Sequence, residues 1–218
     1  MKVNKKYIFT VILILAFAVK INAQELAQKP IPIELVLGNS RLGLQSIINK
    51  NLPESKRFSF FSVTNFESDY SQNSNSLDFI NNSQISFEIY KGFGVSSGTN
   101  INKVTGLSPT LGLQYVFATP KWLFVVTPNL IFTTGNTASF LSILEYKPKL
   151  TDQLKVYSRV QGLYNHNIKS SAHERSYLQL RIGIEYKKYQ FGLASNLDYF
   201  GPNRSFKENY GVFIRANL

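Results

Sequence analysis

The feature that most constrains this chain is a two-residue alternation of apolar and polar side chains, repeated from about Ile33 to the final residue. In LQLRIGIEY, Leu178, Leu180, Ile182, Ile184 and Tyr186 fall on one side, while Gln179, Arg181, Gly183 and Glu185 fall on the other. A period of two belongs to a β-strand, and helical spacing holds nowhere over a useful length. The pattern predicts ten strands: Ile33 to Ile48, Phe58 to Glu67, Gln84 to Val95, Thr105 to Phe117, Trp122 to Thr133, Ala138 to Lys147, Leu154 to Tyr164, Tyr177 to Tyr186, Gln190 to Phe200 and Asn209 to Leu218. Clusters of Gly, Asn, Ser, Asp or Pro separate them, as turns require. The chain is therefore read as all-β and antiparallel, with about 8 to 10 strands and ten preferred.

The N-terminus carries a different pattern. Lys2, Lys5 and Lys6 precede a nearly uninterrupted apolar run from Tyr7 to Val19, and a small residue, Ala23, follows. That is the build of a cleaved secretory signal peptide over residues 1–23, with 24–32 as a lead-in and 33–218 as the folded body. The run is shorter than the roughly 20 residues a spanning helix needs. The 218 residues include no cysteine, which excludes a disulfide framework, a lipoprotein anchor and a thiolate metal site. The formal charge of +11 loses the leader's lysines and stays positive, so phosphate or acidic sugar is the expected contact. Nucleic acid is excluded as a partner, because the leader directs the chain away from it and the cations form no run. No later segment is a helical span, yet a closed barrel crosses a membrane with only alternate residues touching lipid.

The decisive question is which face lies inside. A soluble sandwich or lipocalin-like barrel with the Leu/Ile face inward accounts for the alternation equally well. Three features weigh against it. Aromatics gather at strand ends (Tyr115, Phe117, Trp122, Phe124, Tyr146, Tyr164, Tyr177, Tyr186, Tyr189, Tyr199 and Phe200), where interfacial girdles sit. The polar faces are sparsely charged, and Glu88, Glu145, Glu185 and Asp198 balance Lys155, Arg159, Arg181 and Arg215. An interior demands that balance, since an unpaired buried charge costs several kcal/mol. The remaining cations, including Lys56, Arg57, Lys103, Lys169, Arg175, Arg204 and Lys207, fall in expected loops. Short joins alternate with longer polar ones over the second half, as in an up-and-down barrel. Residues 68–83 are long where a turn is expected, and 134–137 are short where a loop is expected.

The leader, the alternating strands and the closing NYGVFIRANL together resemble the Gram-negative outer-membrane β-barrel class. The resemblance covers residues 33 to 218 as an architecture, without a specific subfamily. It implies an antiparallel up-and-down transmembrane β-barrel reached through the general secretory pathway, probed by the barrel assembly machinery through Asn209, Gly211, Ile214, Ala216 and Leu218. The class commonly ends in Phe, whereas this chain ends in Leu218. A monomer bordered by outer-membrane lipid and lipopolysaccharide phosphates follows.

The only two histidines, His166 and His173, share NHNIKSSAHERS with Ser171 and Glu174. Their residue types suit a hydrolase with a histidine base, but the spacing within a flexible loop is not diagnostic. The same residues do not define a metal geometry, so no metal or cofactor is assigned. GFGVSSG, starting at Gly92, lacks the Gly-Lys-Ser/Thr ending of a phosphate loop and reads as a strand end. Pro109 and Pro128 inside strands imply bulges or shifted boundaries. The expected function is a structural or surface-interaction barrel with a polar, side-chain-filled lumen and no enzyme activity. A narrow channel for small solutes or ions is the alternative, and a lipid-modifying hydrolase using the His166/His173 loop comes after it.

Overall fold

The computed structural model describes residues 30–53, 55, 57–70 and 77–218. The expected leader, residues 24–29 of the lead-in, and Lys56 lie outside the described residues. Twelve strands follow in order: β1 Pro32–Gly38, β2 Arg41–Asn51, β3 Phe58–Asp69, β4 Leu77–Tyr90, β5 Phe93–Asn102, β6 Gly106–Ala118, β7 Trp122–Ile131, β8 Thr137–Tyr146, β9 Leu154–Asn167, β10 Ala172–Tyr186, β11 Tyr189–Phe200 and β12 Ser205–Asn217. Each pairs antiparallel with its chain neighbours, and β1 pairs with β12 to close the barrel. Closure leaves no unpaired sheet edge, which is the condition for a sheet to sit in lipid.

The barrel is thus up-and-down and antiparallel as expected, but with twelve strands in place of ten. The first and third expected strands are each hairpins. Residues 33–48 turn at Asn39 and Ser40, and residues 84–95 turn at Lys91 and Gly92, with φ of 43° and 85°. At Lys91-Gly92 positive φ at both central residues gives a two-residue turn whose twist matches its strands, and the bulge between Glu88 and Tyr90 keeps even positions inward on both sides; at Asn39-Ser40 the inward set changes from even to odd. The two splits also resolve the misfit at residues 68–83. That connection moves to the rim away from the chain ends, and it shrinks because β3 reaches Asp69 while β4 starts at Leu77. Both prolines stay within strands, and the β6–β7 ladder runs to Gly112↔Asn129 and resumes at Tyr115↔Val126, leaving a gap opposite Pro128.

The outer surface is apolar. Ile182, Leu193, Val212, Ile214 and Leu111 are each more than half exposed, while Gln179, Arg181, Asn196 and Arg215 on the alternate positions are buried. A water-soluble barrel would have the reverse arrangement. Aromatic pairs border this surface at both rims. Trp122 stacks on Tyr146 at 4.1 Å between centroids, and Tyr199 packs against Phe206 at 4.9 Å. At the rim carrying the chain ends, lysines lie over these rings: Lys91 over Tyr90 at 5.1 Å, Lys187 over Tyr186 at 5.3 Å and Lys188 over Tyr189 at 5.5 Å. Each pair places an amphipathic ring beside a cation, the combination suited to a headgroup layer.

Candidate functional site

The inward positions fill the barrel with two kinds of side chain. On the arc formed by β8 to β12 and β1 to β4 the filling is ionic. Glu34 on β1 accepts from Arg159 Nη2 at 2.7 Å and Arg181 Nε at 2.9 Å, the first contact reaching across β10, β11 and β12 and the second across β11 and β12. Arg181 Nη1 also donates to Asn196 Oδ1 at 2.8 Å. Glu145 accepts from Arg215 at 2.7 Å and from the Tyr157 hydroxyl at 3.1 Å, and Lys147 lies 3.1 Å from its other oxygen. Toward the rim away from the chain ends, Arg41 pairs with Glu67 and, at 3.0 Å, with Asp198. Arg175 bridges Asp78 at 2.5 Å and Asp198 at 3.5 Å. Toward the other rim, Lys155 pairs with Glu185 at 2.6 Å.

The remaining filling is amide, hydroxyl and apolar. Gln45 donates to Gln179 at 2.9 Å, and Gln84 to Gln114 at 2.8 Å. Beside them Phe61, Val63, Val125, Leu141 and Ile143 form a buried apolar cluster across the lumen. The lumen is therefore not filled by polar groups alone, as β7 and β8 turn Val125, Leu141 and Ile143 inward. Two inward glycines make room for rings: Gly183 is paired with Tyr157 and Gly192 with Phe213, and these rings meet at 5.7 Å.

Six expected lumen residues meet in this network: Glu145, Arg159, Arg181, Glu185, Asp198 and Arg215. Lys155 joins it from a more exposed position. Glu88 does not join. It is exposed at the mouth by the chain ends, in a polar recess of about 110 Å³ that Asn49, Ser59, Ser86 and Gln114 also line. Sequence reasoning missed Glu34, Arg41, Glu67 and Tyr157. The first two were hidden by the merged first strand, although splitting it at Gly38-Asn39-Ser40 would have set both on the inward side. Arg175, expected in a loop, points inward to two carboxylates because β10 begins before it.

The closing segment holds the β1–β2 turn. Asn209 is buried and its Oδ1 accepts from the Ser40 and Arg41 amides at 3.1 and 3.0 Å, while its Nδ2 donates to the Arg41 carbonyl at 3.1 Å. Gly211 faces Gly38, Ile214 points outward, Ala216 pairs with Ile33 and Tyr189, and Leu218 exchanges backbone bonds with Ile31.

The expected flexible histidine loop is mostly strand. β9 runs to Asn167, β10 starts at Ala172, and His166 pairs directly with His173. Ser171 occupies the turn at φ 51°, away from either ring nitrogen of His173. Glu174 turns inward to Thr137 and Asn167 at 2.8 and 2.9 Å. His166 stacks beside Tyr164 at 6.4 Å, while His173 Nδ1 lies 2.8 Å from the Gly201 carbonyl and Nε2 2.9 Å from Ser176 Oγ. Among the described residues, no group of three acidic or histidine side chains is placed to hold a metal ion.

No family model matches the chain, and no curated protein matches it. Solved structures do. A KdgM porin is 8% identical, with 86% of this chain and 98% of that chain covered and a TM-score of 0.46. A NanC porin is 9% identical over 87% and 100% of the two chains with a TM-score of 0.49. LpxR from Salmonella typhimurium is 7% identical over 86% and 99%, at 0.41. At these values the likeness transfers no residue role, and the closed antiparallel barrel rests on the strand pairing itself.

Proposed function

We propose that this protein is a narrow outer-membrane channel for ions and small polar solutes, with both chain ends on the periplasmic side. The carrying observation is the inner face along β8 to β12 and β1 to β4, where charged and amide groups follow one another from Lys155 and Glu185 near one rim to Arg175 and Asp78 near the other. Several of these groups have atoms with no protein partner among the described residues, including Glu34 Oε2, Arg159 Nη1, Gln161 Oε1 and Gln190 Oε1. A buried polar atom is ordinarily satisfied by protein or by water, so these unpaired atoms mark where small side-chain movements would admit water along the arc. Twelve strands also enclose more section than the roughly eight at which side chains just fill a barrel. The apolar cluster around Phe61 and Ile143 restricts passage, and a constriction of this type controls a pore by excluding water.

A second reading, a structural or surface-interaction barrel, is favoured by the complete burial of Ile143, Tyr157 and Gln161. Recordings from the purified barrel in planar bilayers separate the two. The channel reading expects small unitary currents whose ion selectivity changes in Arg159→Gln or Arg181→Gln; a folded barrel that passes no current sinks it and leaves the structural reading.

A further inference from the structure

The lumen leaves one buried polar group unused, and it lies on the opposite face of the sheet. A bulge between His173 and Arg175 sets the His173 ring outward, beside Tyr164 at 5.8 Å. Ser176 is outward too, in step with exposed Leu178 and Leu180, and it is paired with Tyr164 on β9 and Tyr199 on β11. The Gly201 carbonyl can only accept, so His173 Nδ1 carries a proton toward it at 2.8 Å. That tautomer leaves Nε2 as the acceptor for the Ser176 hydroxyl at 2.9 Å. The acceptor is itself fixed, because Gly201 N donates to the Glu174 carbonyl at 2.7 Å. Hydroxyl, imidazole and a rigid acceptor thus stand in series, the arrangement that converts a serine into a nucleophile.

Depth then selects the substrate. Tyr164, Tyr199 and Phe206 form the aromatic girdle at this rim, and such rings sit at the boundary between headgroups and acyl chains. The ester carbonyls joining chains to headgroups lie at that boundary. We propose that Ser176, with His173 as its general base, attacks acyl-ester carbonyls of the lipids at this rim. Ser176 Oγ bonds to the carbonyl carbon while its proton passes to Nε2. The ester C–O bond breaks, and the departing alcohol takes that proton. Water then adds to the acyl carbon with His173 accepting its proton, the Oγ–C bond breaks, and Ser176 is reprotonated as the fatty acid leaves. No oxidant or metal is required.

A bulge clamp without chemistry would use the same hydrogen bonds, so the test reads reactivity. The full barrel, refolded in phospholipid vesicles or in vesicles containing lipopolysaccharide, is treated with a fluorophosphonate probe and mapped by mass spectrometry, and fatty-acid release is followed in each vesicle. The expected result is a covalent adduct on Ser176, absent in Ser176→Ala and formed at least about 100-fold more slowly in His173→Gln. Fatty acid released from only one vesicle type identifies the lipid source. Wild-type barrel that shows heat-modifiable migration, yet neither takes the probe nor releases fatty acid from either vesicle, overturns the proposal. Labelling that proceeds at the wild-type rate in His173→Gln overturns it as well. The wild-type adduct is read without any variant, so a variant that misfolds leaves this test intact.

Discussion

Replacing Glu34 by Gln removes the one carboxylate shared by Arg159 and Arg181 while keeping its size and an acceptor oxygen. All three side chains are at most 1% exposed. At an effective dielectric near 20, a contact at 2.7 Å is worth about 6 kcal/mol before desolvation, and the contact at 2.9 Å slightly less. Desolvation has already offset much of this in the folded barrel, so the net effect of breaking the set is the cost of stranding a buried cation, about 3–5 kcal/mol. Urea unfolding of the barrel refolded in vesicles, followed by the fluorescence of Trp122, measures it. The double variant Glu34→Gln/Arg181→Gln should lose less than the sum of its parts by about 0.5–3 kcal/mol, because the stranded Arg181 charge is gone. A loss below about 1 kcal/mol for Glu34→Gln, the value of an exposed pair, would refute a low-dielectric lumen at this level.

Three further outcomes are expected. Gly183→Ala places a Cβ 2.1 Å from the Phe191 carbonyl oxygen, so it should destabilise the barrel by about 1–3 kcal/mol in the same unfolding assay. Asn209→Ala strips the partners from two amides and a carbonyl at the β1–β2 turn, and with about 1–3 kcal/mol per orphaned buried group it should lower the temperature at which the folded gel band disappears. Trp122, the single tryptophan, lies at a girdle position. Its emission should be quenched more strongly by lipids brominated near the headgroup than by lipids brominated at the chain ends.

The last four strands were legible because each keeps its faces sorted, so Arg181, Glu185, Asp198 and Arg215 could be placed inward from parity alone. The first half was not, for a local reason. In EIYKGFGV the two-residue turn and the bulge beside it cancel, so even positions stay inward on both sides, while in LVLGNSRLGL the inward set changes from even to odd positions within a run too short to announce the change. On one imaginary strand Glu34 and Arg41, of opposite parity, fall on opposite faces, and only the turn between them brings both inward. Parity also could not disclose partners: that Glu34 meets Arg159, 125 residues later, follows from barrel closure and not from either sequence neighbourhood. The His166/His173 region failed in the opposite sense, since NHNIKSSAHERS is polar enough to read as loop while its ends pair in register. A bulge between His173 and Arg175 changes the parity there, and that is why Ser176 was not seen as the partner of His173.

The long reach of these contacts bears on how the barrel closes correctly. β1 has only seven residues and must find β12 at the far end of the chain. Its apolar side chains Ile33, Leu35 and Leu37 do little to fix one register, because apolar groups facing lipid are interchangeable along the strand. Glu34 does fix it. A slip by one residue carries Glu34 to the lipid face and Leu35 to the lumen, exposing a carboxylate to hydrocarbon and leaving both arginines unpaired. A slip by two keeps Glu34 inward but displaces it by about 7 Å, beyond contact with Arg159 and Arg181. Asn209 adds a second constraint on the neighbouring strand, since its bonds to Ser40 and Arg41 form only when β12 lies against the β1–β2 turn in this register. The ionic arc therefore serves closure of the barrel. Variants that weaken it should accumulate open or misregistered chains during refolding before they alter the stability of barrels that have closed.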